Sequence, residues 1–133
     1  MSETSVSNSR RSTIVGWILS GLVIVFLGFD GAIKLPPLQP VLDTMPVLGW
    51  PVELARALGI ITLACTALYA WPRTSVLGAI LLTAYLGGAV ATHVRIGSPL
   101  LTHTLFGVYM ALFVWGGLWF RDPRIRILIA LSR

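Results

Sequence analysis

Two histidines, His93 and His103, stand ten residues apart in "ATHVRIGSPLLTHT" (91–104), which also holds Arg95 and three threonines. An imidazole exchanges its proton near neutral pH, so this stretch could donate or accept protons. Two further pairs carry charge at helical spacing, Asp30 with Lys34 (i, i+4) and Glu53 with Arg56 (i, i+3), and each can form an ion pair along its own helix. Together these groups could receive the polar head of a lipid-soluble molecule such as a quinone, whose carbonyl needs a hydrogen-bond donor and whose reduction needs protons. The candidate ligand-binding residues are therefore His103, Arg95, His93, Glu53, Arg56, Asp30 and Lys34. His103 is the leading one, because His93 lies one helical step off the small-residue row that ends at Thr92. The plainer account is that the pairs neutralise one another at a membrane interface. No third ligand accompanies the histidines, so no metal site is expected. The lone Cys65 offers no dithiol chemistry.

The elements that would position these groups need lipid around them. Of 133 residues 56% are hydrophobic and 11% charged, and the mean hydropathy is +0.84. Runs without charge at 12–29, 59–71 and 74–92, with a fourth over 100–120 whose sole histidine is His103, approach the roughly 20 residues that cross a ~30 Å hydrocarbon layer. They predict four transmembrane helices near 13–33, 51–71, 74–94 and 100–120. The connections "WPRT" and "RIGSP" are short, which makes sequential helices antiparallel neighbours. The expected fold is all-α, an antiparallel four-helix transmembrane bundle. Its long loop, "KLPPLQPVLDTMPVLGWP", is rich in proline and would hold a short helix begun at Gln39 or Pro40. The domain reading is a mobile tail over 1–12, the membrane domain over 13–127 and a basic tail over 128–133.

The formal charge of +5 is explained by topology, with no nucleic acid partner. Four spans put both termini on one side, where Arg10, Arg11, Arg73, Arg121, Arg124, Arg126 and Arg133 gather against Lys34, Arg56 and Arg95 opposite. The positive-inside rule makes that side cytoplasmic and the proline-rich loop non-cytoplasmic. Nearly every other ionisable group then falls at the loop end of the bundle. Small residues let helices approach closely in lipid, and rows containing Gly59 and Thr62, Gly88 and Thr92, and Gly107 are the expected packing seam. If the loop-end groups share one cavity, His103, Arg95 and Glu53 should reach one another directly or through one water.

The strings "LGAILLTAYLGGAVATHVR" (77–95), "SPLLTHT" (98–104) and "WGGLWFRD" (115–122), with "GFDGAIKL" (28–35) and "GWPVE" (49–53), resemble the DoxX-like family of small four-helix membrane proteins over about residues 14–127. The family takes its name from a subunit associated with a thiosulfate:quinone oxidoreductase. The resemblance implies a multi-pass protein of the bacterial inner membrane, with the bilayer, an oxidoreductase subunit or a second copy of itself as partner. A quinone is the cofactor it implies; no other is assigned. One departure stands out: the family pattern has an acid where this chain reads Thr62, and often a proline at Gly107. Without a buried carboxylate the interior lacks a proton acceptor, which favours a binding or assembly role over catalysis.

Overall fold

The computed structural model describes residues 3–131. All its elements are helical: α1 (Glu3–Ala32), α2 (Gln39–Val47), a 3-10 turn (Val52–Leu54), α3 (Ala55–Ala70), α4 (Ser75–Ile96), a π-helical turn (Leu100–Thr104), α5 (Phe106–Arg121) and α6 (Pro123–Leu131). Among the described residues four segments are long and apolar enough to cross a membrane: Ser9–Ala32, Val52–Ala70, Ser75–Ile96 and Leu100–Arg121. At most 33% of any span is buried within the protein, and large apolar side chains such as Val25, Ile60, Ile80 and Leu112 point outward from all four. That surface is satisfied by lipid, not water.

At the chain ends, residues 3–12, read above as part of a tail, are helical and continue α1, and α6 covers residues 128–131 of the basic C-terminal tail. Residues 1, 2, 132 and 133, which fall in those two tails, lie outside the described residues. The short helix of the long loop begins at Gln39, with Pro40 in its first turn, where a missing N–H costs nothing.

α1 packs against α3 and α5, and α4 completes the ring by packing against the same two. The approach of α1 and α5 is close because both are glycine there. A Cβ on Gly16 would lie 2.5 Å from the Arg121 nitrogen, and one on Gly117 would lie 2.9 Å from the Ser20 nitrogen. The α3 row Ala55, Gly59, Thr62, Thr66 and Tyr69 is wholly buried. Tyr69 anchors the centre: its hydroxyl donates to the Val114 carbonyl at 2.7 Å and lies 2.9 Å from Ser20 Oγ. Around it Val23, Leu82, Val114 and Leu118 form the main core. A second, smaller core joins Val41 and Met45 of α2 to Ala55, so α2 is fastened over one end of the bundle. Left-handed glycines close α2 and α4: Gly49 (φ 75°) and Gly97 (φ 71°). At the latter, Ser98 N–H returns to the His93 carbonyl at 3.0 Å, sealing the helix end.

Candidate functional site

Beneath α2 lies a cavity of about 510 Å³, walled by α1, α2, α4, the π-turn and α5. Its size falls in the range of about 300–1,000 Å³ usual for small-molecule sites. Phe26, Leu27, Met45, Leu86, Val90 and Phe106 supply apolar wall, and the rings of Phe26 and Phe106 meet at 5.2 Å across the α1–α5 seam.

Two polar groups break that wall. On one side Lys34 Nζ donates to Asp30 Oδ2 at 2.5 Å and to the Tyr85 hydroxyl at 3.5 Å. Burial alone would depress the Lys34 pKa; the hydrogen bond that Lys34 donates to Asp30, with the electrostatic effects of Tyr85 and Asp30, outweighs it and leaves the ammonium above its ordinary value. On the other side the His93 and His103 rings stand 6.0 Å apart, tilted by 59°. His93 Nδ1 lies 2.9 Å from Ser98 Oγ, and His103 Nδ1 lies 2.8 Å from Thr102 Oγ1. Each ring thus keeps Nε2 without a partner among the described residues.

The π-turn places His103. There Leu105 N–H bonds the Leu100 carbonyl and Thr104 N–H the Pro99 carbonyl, each reaching back five residues. π-Helical turns of this kind occur frequently at functional sites. Nothing in "SPLLTHT" announces it.

Of the sequence-predicted residues, Asp30, Lys34, His93 and His103 line the cavity, while Glu53, Arg56 and Arg95 do not. Arg95 Nη2 donates to the Leu48 carbonyl at 2.7 Å, fastening the C-terminal end of α2. Arg56 Nε donates to the Leu35 carbonyl at 3.2 Å. Its expected pairing with Glu53 is absent: among the described residues the ion pairs are Asp30–Lys34 and Asp122–Arg124. Glu53 stands exposed on the 3-10 turn.

The seam assignment divides. Gly59 and Thr62 are buried against neighbours, and Gly107 faces Leu86 and Val90 closely enough that a Cβ would clash. Gly88 and Thr92 lie at a more open place on α4. No atom lies within 4 Å of a Cβ built on Gly88, and both residues border the cavity. The packed face of α4 is instead Ser75, Gly78, Ala79, Leu82 and Leu86. Thr62 Oγ1 bonds back to the Leu58 carbonyl at 2.8 Å.

Polar groups also gather at the opposite end, which charge counting for topology passed over. Asp122, only 7% exposed, holds Arg124 through both carboxylate oxygens, and Arg121 stacks its guanidinium over Trp17 and Tyr69. The signal was the single acid in "RDPRIR". Among the described residues no three His, Cys, Asp or Glu side chains are grouped as metal ligands.

A family model described as the DoxX-like family matches residues 18–117. No curated protein and no solved structure matches the chain significantly.

Proposed function

We infer the function of this chain from the premise that it belongs to the DoxX-like family and is a multi-pass integral membrane protein. On that premise the cavity under α2 binds a neutral amphipathic molecule, of which a quinone is the best fit, and the protein serves an oxidoreductase as its membrane subunit. The observation that carries this reading is the pairing, across one apolar cavity, of the Asp30–Lys34–Tyr85 group with two imidazoles. The ammonium or the tyrosine hydroxyl can donate to a carbonyl, and an imidazole can exchange a proton with it. Electrons would come from the partner.

The buried Thr62, bonded to its own helix, supports a reading of another class. With no acid there, the protein would stabilise or assemble a partner, and its loop-end polar groups would be structural. A solvent extract of the detergent-purified protein separates the two. Co-purifying quinone, retained less after His103→Ala and to a smaller degree after His93→Ala at unchanged folded yield, is expected of the binding reading. Absence of quinone, together with no labelling by a quinone analogue, gives the protein to the assembly reading.

The location proposed is the bacterial inner membrane with both termini cytoplasmic. It is supported by Arg10, Arg11, Arg73, Arg121, Arg124 and Arg126 at the end where α1 starts and α5 finishes. Reporters fused after residue 133 and inserted at 98–99 should report opposite sides.

A further inference from the structure

At the end of the bundle opposite α2, a second pocket of about 360 Å³ is lined by Trp17, Arg73, Ser75, Arg121, Asp122 and Arg124, with two prolines. Three guanidinium groups face one carboxylate there, which leaves two positive charges. Asp122 neutralises Arg124: Nε and Nη2 of that arginine reach its two oxygens at 3.0 and 2.7 Å, and Nη2 also donates to the Pro72 carbonyl. Arg121 is differently held. Its guanidinium carbon lies 4.5 Å from the Trp17 ring and 4.8 Å from the Tyr69 ring, and Nη2 donates to the Tyr69 carbonyl at 2.7 Å. Its Nε is sealed from solvent without an acceptor among the described residues. Arg73, exposed in the turn between α3 and α4, has no partner among the described residues.

A pocket with two arginines that no carboxylate compensates matches a phosphate group, whose oxygens suit the guanidinium fork. Its surroundings select the source of that phosphate. Trp17 belongs to the first span and exposes its indole on the bundle wall. α6, which enters the pocket lining with Pro123 and Arg124, exposes Ile127, Leu128 and Ile129, apolar surface that needs acyl chains and not water. The arginines therefore sit at headgroup level. We propose that this pocket binds the headgroup phosphate of an anionic phospholipid, at a site separate from the cavity under α2.

The test is titration of the detergent-purified full chain with phosphatidylglycerol, phosphatidylcholine or inorganic phosphate, with bound lipid counted by native mass spectrometry. Arg73→Gln is the informative variant, because Arg73 makes no contact on which folding depends. It should weaken phosphatidylglycerol binding about fivefold, the contribution of one arginine near an anionic headgroup. Arg126→Gln removes the same charge from the same end, but Arg126 does not line the pocket and donates to the Trp119 and Phe120 carbonyls. It should leave the affinity nearly unchanged. Equal losses from the two variants would mean diffuse surface attraction and overturn the site. Phosphatidylcholine binding as tightly as phosphatidylglycerol would overturn it too. Inorganic phosphate that displaces the lipid and itself stabilises the protein would assign the pocket to free phosphate and overturn the lipid assignment.

Discussion

Gly16→Ala and Gly88→Ala place the same methyl group on two membrane helices, and the structure predicts opposite results. At Gly16 the new carbon would lie 2.5 Å from the Arg121 nitrogen and 2.8 Å from the Gly117 carbonyl oxygen. An ordinary contact begins near 3.4 Å, so the shortfall is 3.4 − 2.5, about 0.9 Å. The obstacle is backbone, which cannot rotate aside. α1 and α5 must separate, and a gap of 0.5–1 Å forfeits roughly a quarter to a half of each dispersion contact it opens. Overpacking of this kind costs about 1–3 kcal/mol. At Gly88 nothing stands within 4 Å. Both changes gain about the same helix propensity, near 1 kcal/mol, and this cancels between them. The variants should therefore differ by about 2 kcal/mol, with Gly88→Ala the more stable. Unfolding by titration of sodium dodecyl sulfate into detergent micelles, followed by circular dichroism, measures the difference. Equal midpoints would refute the account of which glycines hold the helices together.

Three further outcomes are expected. Arg124 hydrogen bonds hold the Asp122 carboxyl below its ordinary 3.8, against the opposing effect of burial; its stabilisation is present above that value and lost as pH falls through the lower folded pKa. A thermal midpoint that drops below pH 3.8 in the wild type should lose that step in Asp122→Asn. Lys34 behaves in the opposite sense: with its pKa raised, its contribution is complete below 10.5 and disappears only as pH rises through the higher folded value, so Lys34→Gln should remove an alkaline step and leave the neutral range level. Trp115→Phe deletes the indole bond to Thr83 Oγ1 at 2.8 Å and should cost about 0.6 kcal/mol, the usual worth of a side-chain hydrogen bond between membrane helices; the same detergent titration reads it, and a loss beyond about 2 kcal/mol would contradict that origin.

The spans were legible because charge-free runs of membrane length have few other uses, and α2 because Leu38, Val41, Leu42 and Met45 keep helical spacing behind Pro40. The helical start at Glu3 was not, since polar residues 3–12 show no apolar periodicity. Gly88 shows a different limit. Small side chains serve close packing and hollow space equally well, so the row Ala84, Gly88 and Thr92 reads as a seam whichever it borders. Only the neighbouring row through Gly78, Leu82 and Leu86, which turns out to be the packed one, decides between them. Within the candidate site, helical spacing was enough for Asp30 and Lys34. Arg56 and Arg95 were misplaced because backbone carbonyls at Leu35 and Leu48 are partners that no side-chain pattern reveals.

The π-turn at Leu100–Thr104 also gives the chain a reserve of length. It accommodates one residue more than an α-turn at the mouth of the fourth span. Deleting one residue from it, Thr102 for instance, lets the five-back hydrogen bonds revert to the four-back pattern while α5 keeps its register. The cut is absorbed by the turn and not by the bundle. Each helical residue turns the chain by about 100°, so such a deletion would swing the histidine's neighbourhood relative to the cavity without disturbing Gly107 or Val114. A single-codon change in length is thus expected to re-aim His103 within the candidate site while the membrane scaffold stays as it is.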